Sequence, residues 1–116
     1  MPTWEGEQRM SYDERLRSPA TDRLFTAMMH LETLEEFYQL FEDLCTIGEI
    51  KTLASRFRAA EMLYHGATYE DIVAETGMSS ATISRIKRFL LYGAEGYTLA
   101  IERLPDPKAR DETDIH

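Results

Sequence analysis

The sequence predicts an all-α fold, and three observations carry that prediction. Apolar residues recur at three- and four-residue spacing; threonines followed three positions on by an acid stand where those runs begin; no stretch keeps the apolar/polar alternation of a half-buried strand. The 116 residues suit one small domain, and at 43% hydrophobic they supply only a modest core. A partner subunit would add to it.

Residues 1–17 are polar and aperiodic and read as a disordered N-terminal arm. A first helix is predicted from about Pro19 to His30, lining up Leu24, Met28 and Leu31. "TLEE", Thr33 to Glu36, opens a second helix to about Cys45 with Leu34, Phe37, Leu40, Phe41 and Leu44 along it. "TIGE", Thr46 to Glu49, opens a longer one from about Ile47 to Tyr64. Its stripe is Ile50, Leu53, Ala54, Phe57 and Ala60, widened by Met62, Leu63 and Tyr64 and stopped by Gly66. In each opening the threonine hydroxyl accepts from the third helical N–H, and the acid bonds back or favours the positive helix end.

"TYED", Thr68 to Asp71, is a third such start, with Asp in place of Glu or Gln. It opens a short helix from about Tyr69 to Thr76. Gly77, Met78 and Ser79 separate that helix from another over about Ser80 to Leu91, capped by Ser79 or Ser80. A last helix runs from about Ala94 to Leu104 and closes at Pro105. Residues 105–116, with two prolines and alternating charges, read as a disordered tail. Residues 18–104 then form one helical, bundle-like unit.

Several function classes find no support. No apolar run approaches the ~20 residues of a membrane helix, and the N-terminus lacks the apolar centre of a secretory signal, so a cytoplasmic protein is expected. The single cysteine, Cys45, sits in an apolar helical run and reads as a core thiol. His30, His65 and His116 form no metal-binding spacing, and neither GxGxxG nor GxxxxGK[ST] occurs. No cofactor, no metal and no enzymatic activity are expected, although a Cys45–His pair meeting only in space would escape such a reading.

The pair of helices over about 69–91 has the pattern of a helix-turn-helix, in which the first helix braces the second and the second enters the major groove. Ile72 and Val73 are expected to face inward, Met78 to fill the turn, and Ile83 and Ile86 to anchor the reading helix. The outward set is Ser79, Ser80, Ala81, Thr82, Ser84, Arg85, Lys87 and Arg88, with Tyr69 at the start of the bracing helix. Short hydroxyls donate to phosphates or to base edges, a threonine methyl meets a thymine methyl, and arginine grips guanine or phosphate through two bonds. Double-stranded DNA is the partner this set suits, with Ser80, Ala81, Thr82 and Ser84 nearest the base edges.

The net charge of -8 opposes DNA binding only on average. Residues 1–50 hold eleven acids and four bases, residues 93–116 six acids and three bases, but residues 51–92 four acids and six bases. Acidity lies outside the reading unit. Few phosphate contacts are available to one copy, and two copies on a two-fold axis double them.

The stretch "TIGEIKTLASRFRAAEMLYHGATYEDIVAETGMSSATISRIKRFLLYGAEGYTLAIERL", Thr46 to Leu104, resembles the Trp repressor superfamily, most closely the TrpR-related YerC/YecD family. "FYQLFEDLCTIGEI" is similar to that family as well, extending the resemblance to roughly residues 20–104. It implies a TrpR-like helical bundle, an intertwined homodimer whose N-terminal helices wrap the partner, with a helix-turn-helix at each end. It also implies a transcription regulator, most simply a repressor.

In the namesake, tryptophan bound between the long helix and the reading helix activates DNA binding. The resemblance places Arg56 and Arg85 where two arginines hold that ligand, and Thr46 where a threonine lines the site. It places Ile86 where a glycine leaves room for the indole, and Phe89 where a serine lies near the ligand's amino group. Isoleucine in an indole slot clashes with the ligand or replaces it. A plugged pocket and no tryptophan corepressor are therefore expected. For Arg56 a phosphate contact, an ion pair with the partner chain and a remnant ligand role stay open. A different class of function also stays open: a helical protein-interaction module whose acidic half docks onto a basic partner, with no physiological DNA site.

Overall fold

The computed structural model describes residues 12–105. They form a 3-10 turn, Glu14–Leu16, and the helices α1 (Pro19–Met29), α2 (Leu34–Leu44), α3 (Ile47–Tyr64), α4 (Tyr69–Thr76), α5 (Ser80–Tyr92) and α6 (Gly96–Arg103), with no strand among the described residues. The expected arm over residues 1–17 overlaps this set only at its end, where Asp13 caps the 3-10 turn. The rest of that arm, and the tail beyond Pro105, lie outside the described residues.

Every helix start but the last is capped by a hydroxyl. Ser18 accepts from Thr21 N at 3.0 Å with Pro19 at the first helical position, a combination that satisfies one orphan donor and removes another. Thr33 accepts from Glu36 N at 3.1 Å, while the Glu36 carboxylate accepts from Glu32 N at 2.6 Å. At α3 the bonds are reciprocal: Glu49 N donates to Thr46 Oγ1 at 3.1 Å and Thr46 N to Glu49 Oε1 at 2.8 Å. Thr68 accepts from Asp71 N at 3.1 Å.

The stop at Gly66 is a two-bond one. Gly66, at φ +89°, donates its N–H to Leu63 O at 3.0 Å, and Ala67 N–H reaches Met62 O at 2.9 Å. At the end of α6, Leu104 is extended ahead of Pro105, the conformation a following proline favours.

The chain divides into two compact units, one up to Arg58 and one from Ala59, so that the boundary falls within α3. The physical reason is where burial occurs. Among the described residues the buried hydrophobic ones, Ala59, Ala60, Ile72, Ile83, Ile86 and Ile101, belong to the second unit. Burying an isoleucine side chain such as Ile72 or Ile83 contributes about 1.5–3 kcal/mol. In the second unit the Tyr64 hydroxyl also donates to Glu102 Oε2 at 2.8 Å, joining the end of α3 to α6. In the first unit Arg17 pairs with Asp22 at 3.1 Å, but α1 and α2 hold no buried residue. Leu24, Met28, Phe37, Leu40 and Phe41 are only half-buried, and other apolar side chains stay open, among them Met29 at 80% exposure and, at the start of α3, Ile47 at 70%.

Candidate nucleic-acid interface

The bracing helix α4 and the reading helix α5 meet through isoleucines. Ile72 on α4 and Ile83 and Ile86 on α5 are buried, whereas Val73 is 42% exposed, contrary to the inward position expected of it. Consecutive helical residues point about 100° apart, so only one of the pair fits the inner face, and Ile72 takes it. Between the helices, Gly77 has φ +74°, the left-handed conformation that lets α4 stop and the chain reverse, and its N–H donates to Val73 O at 2.9 Å.

The turn carries a further brace that periodicity does not show. Thr76 Oγ1 donates to Ile72 O at 2.7 Å and accepts from Met78 N at 3.2 Å, holding half-buried Met78 in the turn. Ser79 is the cap of α5: it accepts from Thr82 N at 3.2 Å and its hydroxyl donates to Thr82 Oγ1 at 3.1 Å. Ser80 stands at the first helical position.

The residues expected to face outward sort into three groups, and of them Tyr69 and Thr82 are half-buried while the rest are exposed. Ser79 and Thr82 are bonded to each other at the start of α5. Tyr69, the first residue of α4, places its hydroxyl 3.2 Å from Ser84 Oγ, and Lys87 Nζ lies 5.9 Å from the centre of its ring. Ser80, Ala81, Arg85 and Arg88 are exposed along α5. The helix-turn-helix thus presents hydroxyls at its leading end and two arginines and a lysine further along. No acid occurs within α5, so its own residues set an electropositive face.

The five pocket positions divide between the two units. In the first, the Thr46 hydroxyl is engaged in capping α3, and Arg56 lines an open recess of about 510 Å³ with Leu44, Cys45, Glu49, Thr52 and Leu53. In the second, Ile86 is 4% exposed and Arg85 faces outward. Phe89 is 53% exposed and borders a shallow recess with Ala94, Gly96 and Tyr97. The isoleucine is buried by its own chain; the phenylalanine is not.

Among the described residues no helix is long and apolar enough to cross a membrane, and no three histidine, cysteine or acidic side chains gather as a metal site.

Comparison with known proteins agrees with this architecture. The family model described as Trp repressor protein matches residues 20–105. The protein YerC of Bacillus subtilis strain 168, itself uncharacterised, is 45% identical over 100 residues, covering 86% of this chain and 96% of its own. A crystal structure of a TrpR-like protein from Eubacterium eligens superposes with a TM-score of 0.75 at 47% identity, covering 78% of this chain and 94% of that one. The crystal structure of a candidate Trp repressor from Staphylococcus aureus does so at 0.73 and 49% identity, over 78% and 90%. A match over most of the chain, joined to an all-helical fold with a helix-turn-helix, leads to one conclusion: the chain belongs to the Trp repressor family.

Proposed function

We propose that the protein is a cytoplasmic, sequence-specific DNA-binding transcription regulator, a repressor acting as a homodimer without tryptophan. The observation that carries the reading is the α4–α5 helix-turn-helix, with an exposed hydroxyl-rich leading end and Arg85, Lys87 and Arg88 behind it, in a chain of the Trp repressor family. Phosphate contacts position such a helix and base contacts specify the site. Three basic side chains per copy give limited electrostatic affinity, and pairing two copies doubles it.

Support for the homodimer comes from the first unit. Helices of 11 residues are marginal in isolation, and α1 and α2 expose Phe25, Met29, Leu34 and Tyr38. A second copy is the partner that the family resemblance offers for this apolar surface. Support for independence from tryptophan comes from Ile86, whose burial holds the reading helix without any ligand.

A mobility shift on random-sequence duplex DNA at low salt tests the reading. Binding that tightens on a selected sequence supports it. Failure to bind even at low salt overturns it in favour of a protein-interaction module.

A further inference from the structure

Tyr69, Ser84 and Lys87 come from two helices and converge on one edge of the helix-turn-helix. The Tyr69 and Ser84 oxygens are 3.2 Å apart, and either one can be the donor. Each hydroxyl owns a single hydrogen, and their mutual bond uses only one of the two. Whichever way that bond runs, one O–H remains to donate outward. Beside it the Lys87 ammonium lies 5.9 Å from the Tyr69 ring centre, within the range of a cation–π contact that restrains an otherwise flexible four-carbon stem.

We infer that Tyr69, Ser84 and Lys87 form one anchoring site for a single DNA backbone phosphate, ordered by Tyr69. The inference rests on the DNA-binding reading and deepens it. A phosphodiester oxygen needs a cation and a directed donor, and this cluster holds both in place before DNA arrives. It also moves Ser84 from the base-reading set to the backbone-positioning set, because its hydroxyl is paired with Tyr69 of the bracing helix and stands beside Lys87. Base reading is left to the leading end of α5, where Thr82 stands. Tyr69 is a positioning residue for Lys87 and Ser84 as well as a contact.

The test is DNA affinity of the full chain on a panel of sequences at several salt concentrations. Tyr69→Phe keeps the ring and removes the hydroxyl, and Ser84→Ala removes the same bond from the other helix. Each is expected to weaken all sequences by a common factor on the order of threefold to tenfold, with their ranking unchanged. Lys87→Ala is expected to weaken all sequences and lower the log–log salt slope by about 0.9, the share of one phosphate. Combining Tyr69→Phe with Lys87→Ala should cost less than the product of the separate losses, since the residues act as a unit. Unchanged binding by Tyr69→Phe, a changed ranking with Ser84→Ala, or independent losses overturn the phosphate site while leaving DNA binding intact. A wild-type chain that binds no DNA overturns both.

Discussion

The Ser79 hydroxyl donates to Thr82 Oγ1 at 3.1 Å while accepting from the Thr82 backbone N–H at 3.2 Å. One serine therefore caps the reading helix and fixes the threonine that follows. Because Thr82 accepts this bond, its own hydrogen is not used in it, and the half-exposed side chain can meet a base edge. Thr82→Ala is expected to change preference at one base position by up to about tenfold, the scale of one net hydrogen bond, with little effect elsewhere. Lys87→Ala should instead weaken every sequence together. Binding profiles from a randomised site check this, and matching profiles for the two variants contradict it.

Two backbone positions predict stability changes of opposite sign. Gly77 has φ +74° with nothing within 4 Å of where a Cβ would stand, so Gly77→Ala meets a backbone cost and no clash. A loss of about 1 kcal/mol is expected in chemical denaturation, and a smaller one for Gly77→Asn. Glu95, at φ +71°, is the described non-glycine residue with positive φ, and its side chain makes no capping bond to α6. Glu95→Gly removes a penalty of about 1–2 kcal/mol and adds about 0.5–1 kcal/mol of chain entropy, so a gain of about 0.5–1 kcal/mol is expected. Destabilisation by that substitution would contradict the account of the turn.

The hydrogen bond from Tyr64 to Glu102 raises the Tyr64 phenol above its ordinary value, with burial and the carboxylate's charge acting in the same direction. A raised folded-state value contributes stability that is present below the unfolded value near 10 and is lost as pH rises through the folded one. Glu102→Ala should bring the Tyr64 titration, followed by its ring-carbon NMR signal, back down toward the ordinary value. Superimposable curves in the two proteins would count against the α3–α6 tie.

Tryptophan is expected to be ignored. Isothermal titration with L-tryptophan should show no micromolar binding, and DNA affinity should be the same with and without it. Ile86→Ala is expected to cost about 2–5 kcal/mol, the usual range for truncating a buried isoleucine, which marks the side chain as a fixed part of the protein. Micromolar tryptophan binding would contradict the occupied-slot proposal.

The helices were legible because their start signals are local. A threonine with an acid three residues on, or a serine before "SAT", satisfies its donors within one turn, and each of these four hydroxyl signals proved to be a cap. Gly66 and Gly77 marked ends for the same reason. What stayed hidden depends on three dimensions. Val73 follows Ile72, and which of two adjacent apolar residues turns inward is a matter of rotation about the helix. Tyr64 and Glu102 are 38 residues apart and Tyr69 and Ser84 are 15 apart, so no spacing rule links them. Glu95 gave no sign of its left-handed backbone, because glutamate is not a residue type that favours it. Ile86, expected to face inward, is buried, whereas Phe89, expected to share the plug, is exposed in the single chain, because what covers it is not set by helix periodicity.

The most direct test of the central claim is selection of bound fragments from random duplex DNA by the full chain at near-physiological salt. The account predicts an enriched, roughly palindromic sequence with half-sites about one helical turn, 10–10.5 base pairs, apart, as two copies on a two-fold axis require. Enrichment of no sequence, from a protein that is folded and dimeric, would contradict it.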